Sequence, residues 1–117
     1  MLSYFHKIDR ESVIVLFLNQ GNKCVHTEVR FGDNTSVNFP TDSIIDIAET
    51  KDSTKIFLAH NHPGDRATPS DYDVQHAAAL YLSLPTDFQL VDDLVWCRGK
   101  VKSVMNTHRF KQMVRMY

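Results

Sequence analysis

The chain has 117 residues, 43 % of them hydrophobic and 23 % charged, which suits one globular domain over residues 1–117 with one core. No run of about 18 apolar residues occurs, which excludes a membrane-spanning helix. The opening Met1-Leu2-Ser3-Tyr4-Phe5-His6 lacks the basic start and long apolar stretch of a secretory signal, so a cytoplasmic protein with no membrane contact is expected. The net charge of −1 conceals an asymmetry. Residues 1–93 carry seven basic and fourteen acidic side chains, whereas 94–117 carry Arg98, Lys100, Lys102, Arg109, Lys111 and Arg115 and no acid. A basic stretch on an acidic body marks an anionic partner such as nucleic acid, docks on its own body, or is a solvated face; the last two are the commoner outcomes. Cys24 and Cys97 lie in separate strand-like segments and read as reduced, buried or half-buried thiols.

Val13 to Leu18 is an unbroken apolar run of strand length, the pattern of a strand buried on both faces. Asn19-Gln20-Gly21-Asn22 turns the chain, and Cys24 to Phe31 returns antiparallel. Gly32-Asp33-Asn34 is a second turn, and Thr35 to Phe39 a third strand completing a meander. Pro40-Thr41-Asp42 opens a helix whose apolar face is Ile44, Ile45, Ile47 and Ala48. Lys55 to Ala59 is a short apolar strand ending in the polar loop His60-Asn61-His62-Pro63-Gly64-Asp65. Thr68-Pro69-Ser70 starts a second helix through Val74, Ala77, Ala78 and Tyr81, stopping before Pro85. Phe88 to Trp96 and Lys100 to Val104 form a hairpin around Arg98-Gly99, and Asp92-Asp93 is expected to end a strand at the surface, with a place near the site as the alternative. Thr107 caps a last helix with Phe110, Met113, Val114 and Tyr117 on one stripe, buried on the sheet or in a homodimer. The fold class is α/β, a mostly antiparallel mixed sheet flanked by helices.

His60 and His62 are two apart at a strand end, so both imidazoles point to one side. Asp73 follows in the first turn of a helix. Two imidazoles and one carboxylate with a fourth position open form a catalytic zinc ligand set. An ion there lowers the pKa of a bound water toward about 7. Glu11, just ahead of the first strand, is placed to take the proton and return it to a leaving amine, and Ser70 to donate to a developing oxyanion. Each residue has a plainer reading. Ser70-Asp71-Tyr72-Asp73 is a capping box, His-x-His alone is a weak signal, and Glu11 alone is an ordinary surface acid. The capping and donor roles of Ser70 are compatible, and it is the joint pattern that points to chemistry. His76, one helical turn after Asp73, is expected to be partly exposed, with a supporting place behind the metal ligands as the alternative, and Glu28 to face solvent; His6, His26 and His108 have no assigned partner.

His60-Asn61-His62-Pro63, Pro69-Ser70 and Asp73 match the JAMM metal motif, His-x-His-x7-Ser-x2-Asp, with every spacing kept. The sequence resembles the RadC branch of the JAB/MPN superfamily. The likeness runs from Glu11 and the Val13–Asn19 strand through Glu28-Val29-Arg30-Phe31-Gly32 to Val91-Asp92-Asp93-Leu94-Val95, about residues 11 to 104. It implies a JAB/MPN-like, cytidine-deaminase-like layered fold and a zinc-dependent hydrolase of peptide or isopeptide bonds. By position His60, His62 and Asp73 are the ligands, Glu11 the base and Ser70 the oxyanion donor. The chain departs from the family in three places. His-Pro-Ser-Gly-Asp becomes His62-Pro63-Gly64-Asp65-Arg66, Pro-Arg-Glu becomes Pro40-Thr41-Asp42, and the histidine of Leu-Asp-His becomes Asp93. The helix-hairpin-helix segment ahead of the domain in full-length RadC proteins is not in this sequence. Two other function classes stay open, a DNA-associated accessory protein using basic residues 98–115 and a non-catalytic MPN scaffold. Binding through the basic tail would weaken steeply with salt, and a pure scaffold has no use for Glu11, His60, His62, Ser70 and Asp73 together.

Overall fold

A computed structural model describes residues 11–32, 39–62 and 67–116. In chain order the elements are β1 (Ser12–Leu18), β2 (Cys24–Phe31), α1 (Thr41–Thr50), β3 (Lys55–Asn61), α2 (Asp71–Ser83), β4 (Gln89–Cys97), β5 (Lys100–Ser103) and α3 (His108–Arg115). They form one five-stranded sheet of order β2-β1-β3-β4-β5. The pairs β1–β2, β1–β3 and β4–β5 are antiparallel and β3–β4 is parallel. The mixed α/β architecture is therefore as expected. The third strand read over Thr35–Phe39 falls largely on residues 33–38, outside those described. Phe39 itself is buried and lies off the sheet.

Local chemistry accounts for the turns. Asn22 takes a left-handed φ of 66°, which Asn tolerates, and the Asn19 side chain accepts the Lys23 N–H at 3.0 Å. Arg98 and Gly99 both have positive φ, the two-residue turn that suits the twist of a tight hairpin. A parallel β3–β4 pair needs a crossover, and α2 is that crossover.

Val13, Val15 and Phe17 of β1 and Ile56 and Leu58 of β3 point to one face, where they pack on Phe39, Ile44 and Ala48 from the α1 side and on Leu80 of α2. Val95 of β4 joins Val74, Ala77 and Ala78 of α2, Val104, and Phe110 of α3. On the opposite face Ile14, Ala59 and Trp96 are buried, with Leu16, Val29, Phe57 and Leu94 half-buried around them. β1 is thus covered on both sides, as its unbroken apolar run implied.

Two expectations, those for Cys24 and Asp93, need correction. Tyr81 is 47 % exposed and meets Phe110 edge-on, while Leu80 enters the core. Cys24 is exposed because it starts β2, the strand at one end of the sheet order; Cys97 is buried, and both are free thiols. Asp93 is 0 % exposed in the middle of β4 rather than at the surface. α3 buries Phe110 and half-buries Met113 and Val114; Tyr117 lies outside the described residues. No helix among the described residues is long and apolar enough to cross a membrane.

Candidate metal centre

The strand register brings the distant carboxylate to the histidines. Ser12 pairs with Asn61 and Val13 with His60, so one step further Glu11 comes level with His62. The Glu11 carbonyl accepts the Gly32 N–H at 3.0 Å, which keeps its backbone beside the end of β2. β3 runs two residues past Ala59, the expected end, so His60 stands in the strand rather than in a loop. Glu11 Oε1 lies 3.9 Å from His62 Nε2.

The start of α2 supplies the other side. Ser70 is its N-cap: the Ser70 hydroxyl accepts the Asp73 N–H at 3.1 Å and the Ser70 N–H donates to Asp73 Oδ2 at 2.9 Å. This is a full capping box. The same Oδ2 lies 2.9 Å from His62 Nε2. Asp73 Oδ1 is buried with no hydrogen-bond partner among the described residues and faces His60 Nδ1 at 3.9 Å. One carboxylate therefore divides its work: Oδ2 completes the cap, and Oδ1 is left for something else.

α3 braces this end of α2. Arg109 forms an ion pair with Asp71 and donates to the Pro69 carbonyl at 2.7 Å. One of the six basic residues after position 93 thus docks on the body of its own chain. Lys100, Lys102, Lys111 and Arg115 are exposed.

Donor atoms of Glu11, His62 and Asp73 all lie within 4.8 Å of one another, a group able to hold a metal ion. The sequence had set His60 beside His62 and Asp73, with Glu11 apart. In the structure His60 Nδ1 borders the group through Asp73, while its Nε2 lies 2.9 Å from Asp93 Oδ1. That contact is an ion-pair contact without hydrogen-bond alignment, since neither atom has a hydrogen-bond partner. Asp93 thus takes the alternative place, beside the site rather than at the surface.

Burial and charge oppose each other here. Burial pushes the His60 imidazolium down, but the carboxylates of Asp93, then Asp73 and Glu11, outweigh it and lift its pKa to about 9. Burial would raise Asp73, yet the hydrogen bond from His62, the charge of His60 and the Ser70 N–H hold it at about 2. Tyr72 is pushed up by burial and then by the charges of Asp73 and Glu11. It stacks on His76, whose Nε2–H donates to the Phe39 carbonyl at 2.6 Å and whose ring meets His60 edge-on. His76 is half-buried, and its contact with His60 places it beside the site. His26 and Glu28 pair with each other at 2.9 Å on β2, so Glu28 is half-buried and partnered rather than solvated.

The sequence model of the RadC-like JAB domain matches residues 1–109. The UPF0758 protein YfjY of Escherichia coli is 30 % identical over 90 residues, 75 % of this chain and 56 % of that protein. A UPF0758 protein of Clostridium botulinum is 39 % identical over 69 residues, 57 % of this chain and 30 % of its own length. One from Photorhabdus laumondii is 38 % identical over 63 residues, 53 % and 27 %. The matched regions thus span at most about half the length of these relatives.

Proposed function

This chain belongs to the family of RadC-like JAB domains, and on that footing we propose that it is a zinc-dependent hydrolase of peptide or isopeptide bonds. The observation that carries the reading is Asp73 Oδ1: a buried carboxylate oxygen with no hydrogen-bond partner among the described residues, between His60 and His62, on a helix start already capped by the other oxygen. Unpartnered buried oxygens are costly, and a cation would satisfy this one. The donor set, two imidazoles and a carboxylate, suits zinc with an open position.

His60, His62 and Asp73 would hold the ion. When bound, zinc acidifies a water molecule to near neutral pH and polarises a carbonyl oxygen. Glu11, half-buried and 3.9 Å from His62, accepts a proton at its carboxylate and returns it to the leaving amine. The Ser70 hydroxyl oxygen is occupied by the Asp73 N–H, but its own hydrogen stays available to stabilise a developing oxyanion. The outer faces of Glu11, His62 and Ser70 are open to a substrate chain, whereas Asp73 and His60 are not.

Elemental analysis tests the reading. About one zinc per chain is expected in the native protein, lost in His60→Ala and in His62→Ala, together with hydrolysis in a screen of peptide and isopeptide substrates. Full zinc retention in both variants would refute the site.

A further inference from the structure

The start of β4 contains a β-bulge that re-aims a carboxylate. Ile56 pairs with Leu90 but Phe57 pairs with Asp92, so Val91 is an extra residue. In an unbroken register Asp92 would stand beside Leu58 and share its face, and Asp93 would point to the other side of the sheet. The bulge exchanges them. Asp93 pairs with Leu58 and therefore faces the same side as His60, two residues further along β3. Bulges commonly redirect a side chain next to a functional site. Asp92 is engaged elsewhere, accepting from the Ser103 hydroxyl at 2.7 Å and from the Asp93 N–H at 2.8 Å.

Asp93 is fully buried, and neither of its side-chain oxygens has a hydrogen-bond partner among the described residues. Its Oδ1 lies 2.9 Å from His60 Nε2, while Nδ1 of the same ring faces Asp73 at 3.9 Å. The ring thus stands between two carboxylates, one behind it and one at the candidate metal centre. We propose that Asp93 is a positioning residue: it accepts the Nε2–H of His60 and fixes the neutral ring in the tautomer that presents the Nδ1 lone pair toward Asp73. At 2.9 Å the two atoms are already within hydrogen-bond distance. A carboxylate behind a ligating imidazole orients the ring and makes it a better donor. The proposal rests on the reading that His60, His62 and Asp73 hold zinc.

Zinc affinity of the full chain, measured by competition with a chromophoric chelator, separates the two claims. The wild type is expected to bind one zinc and His60→Ala to lose it. Asp93→Ala should bind about 10–100-fold more weakly. Asp93→Asn keeps an acceptor oxygen at the same point and should recover part of that loss. Imidazole ¹⁵N shifts of the zinc-loaded wild type provide a readout that needs no variant to fold: His60 should carry zinc on Nδ1 and a proton on Nε2. Wild-type affinity in Asp93→Ala, or zinc on Nε2 of His60, would overturn the positioning role and leave the metal site standing. Loss of zinc in Asp93→Asn as complete as in His60→Ala would make Asp93 a ligand and also overturn it. A wild type that binds no zinc would remove the site and this proposal together.

Discussion

Glu11 and His62 meet because β1 and β3 run antiparallel with Ser12 opposite Asn61; fifty intervening residues close into one contact. The same geometry makes Glu11 ambiguous, since its oxygen lies near enough to His62 and Asp73 to ligate an ion as well as to serve one. His60 decides between the roles. With His60, His62 and Asp73 as ligands, three positions of a tetrahedron are filled and Glu11 is left for proton transfer. Glu11→Gln keeps the shape and removes the proton acceptor, so it should retain zinc and lose about 10²-fold or more in rate. Zinc loss in that variant would make Glu11 a ligand, and full activity on a verified substrate would remove it from the chemistry. His60 and Asp73 also tie stability to pH in the ion-free protein. His60 rises from 6.5 to about 9 on folding, so its contribution is complete below pH 6.5 and is lost as pH rises through about 9. Asp73 falls from 3.8 to about 2, so its contribution is complete above pH 3.8 and is lost as pH falls through about 2. With chelator present, the urea midpoint should be lower at about pH 9.5 than at about pH 5.5. Equal midpoints would contradict the charge contacts around His60.

α2 is buried on two sides, which explains what its sequence pattern revealed and concealed. Asp73, His76, Ala77 and Leu80 lie at helical spacing toward the sheet and α1, and Val74, Ala78 and Tyr81 lie toward α3. A single apolar run, Val74, Ala77, Ala78 and Tyr81, was legible, and Leu80 was not part of it. α3 closes the second side. Thr107 accepts the Phe110 N–H at 3.2 Å as its cap, and Phe110 fills the space between Val74, Ala77, Ala78 and Val104. Phe110→Ala should cost about 3–5 kcal/mol, read as a lower urea midpoint with an unchanged slope. Because Arg109 holds Asp71 and Pro69 at the start of α2, that variant should also weaken zinc binding; unaltered stability would refute the packing. Elements with strong local signals were legible: β1 from its apolar run, the Ser70 and Thr107 caps from their side-chain chemistry, and the histidine pair from its alternation. The length of β3 was not, because His60 and Asn61 look like loop residues until their buried neighbours are known. Nor was Asp93, because a one-residue bulge reverses the facing of every residue after it and leaves no mark on composition.

At the scale of the molecule, four elements converge on one end of the sheet: Glu11 ahead of β1, His60 and His62 at the end of β3, Asp73 at the start of α2 and Asp93 in β4. A zinc ion held by His60, His62 and Asp73 would tie the central sheet to the helix that crosses it. The unfolded chain has only a His-x-His pair and a separate aspartate, which bind far more weakly than the assembled site. Zinc would therefore stabilise the native state by mass action, about 2.7 kcal/mol at a free concentration 100 times Kd. For a domain of this size each kcal/mol is worth roughly 3–6 °C, so the melting temperature should rise by about 8–16 °C over chelated protein. The shift should vanish in His60→Ala and His62→Ala and shrink in Asp93→Ala. Calorimetry of the four proteins with zinc and with chelator measures it. An equal rise in the histidine variants would put the stabilising ion elsewhere on the chain, and no rise in the wild type would mean that these four elements meet without a metal between them.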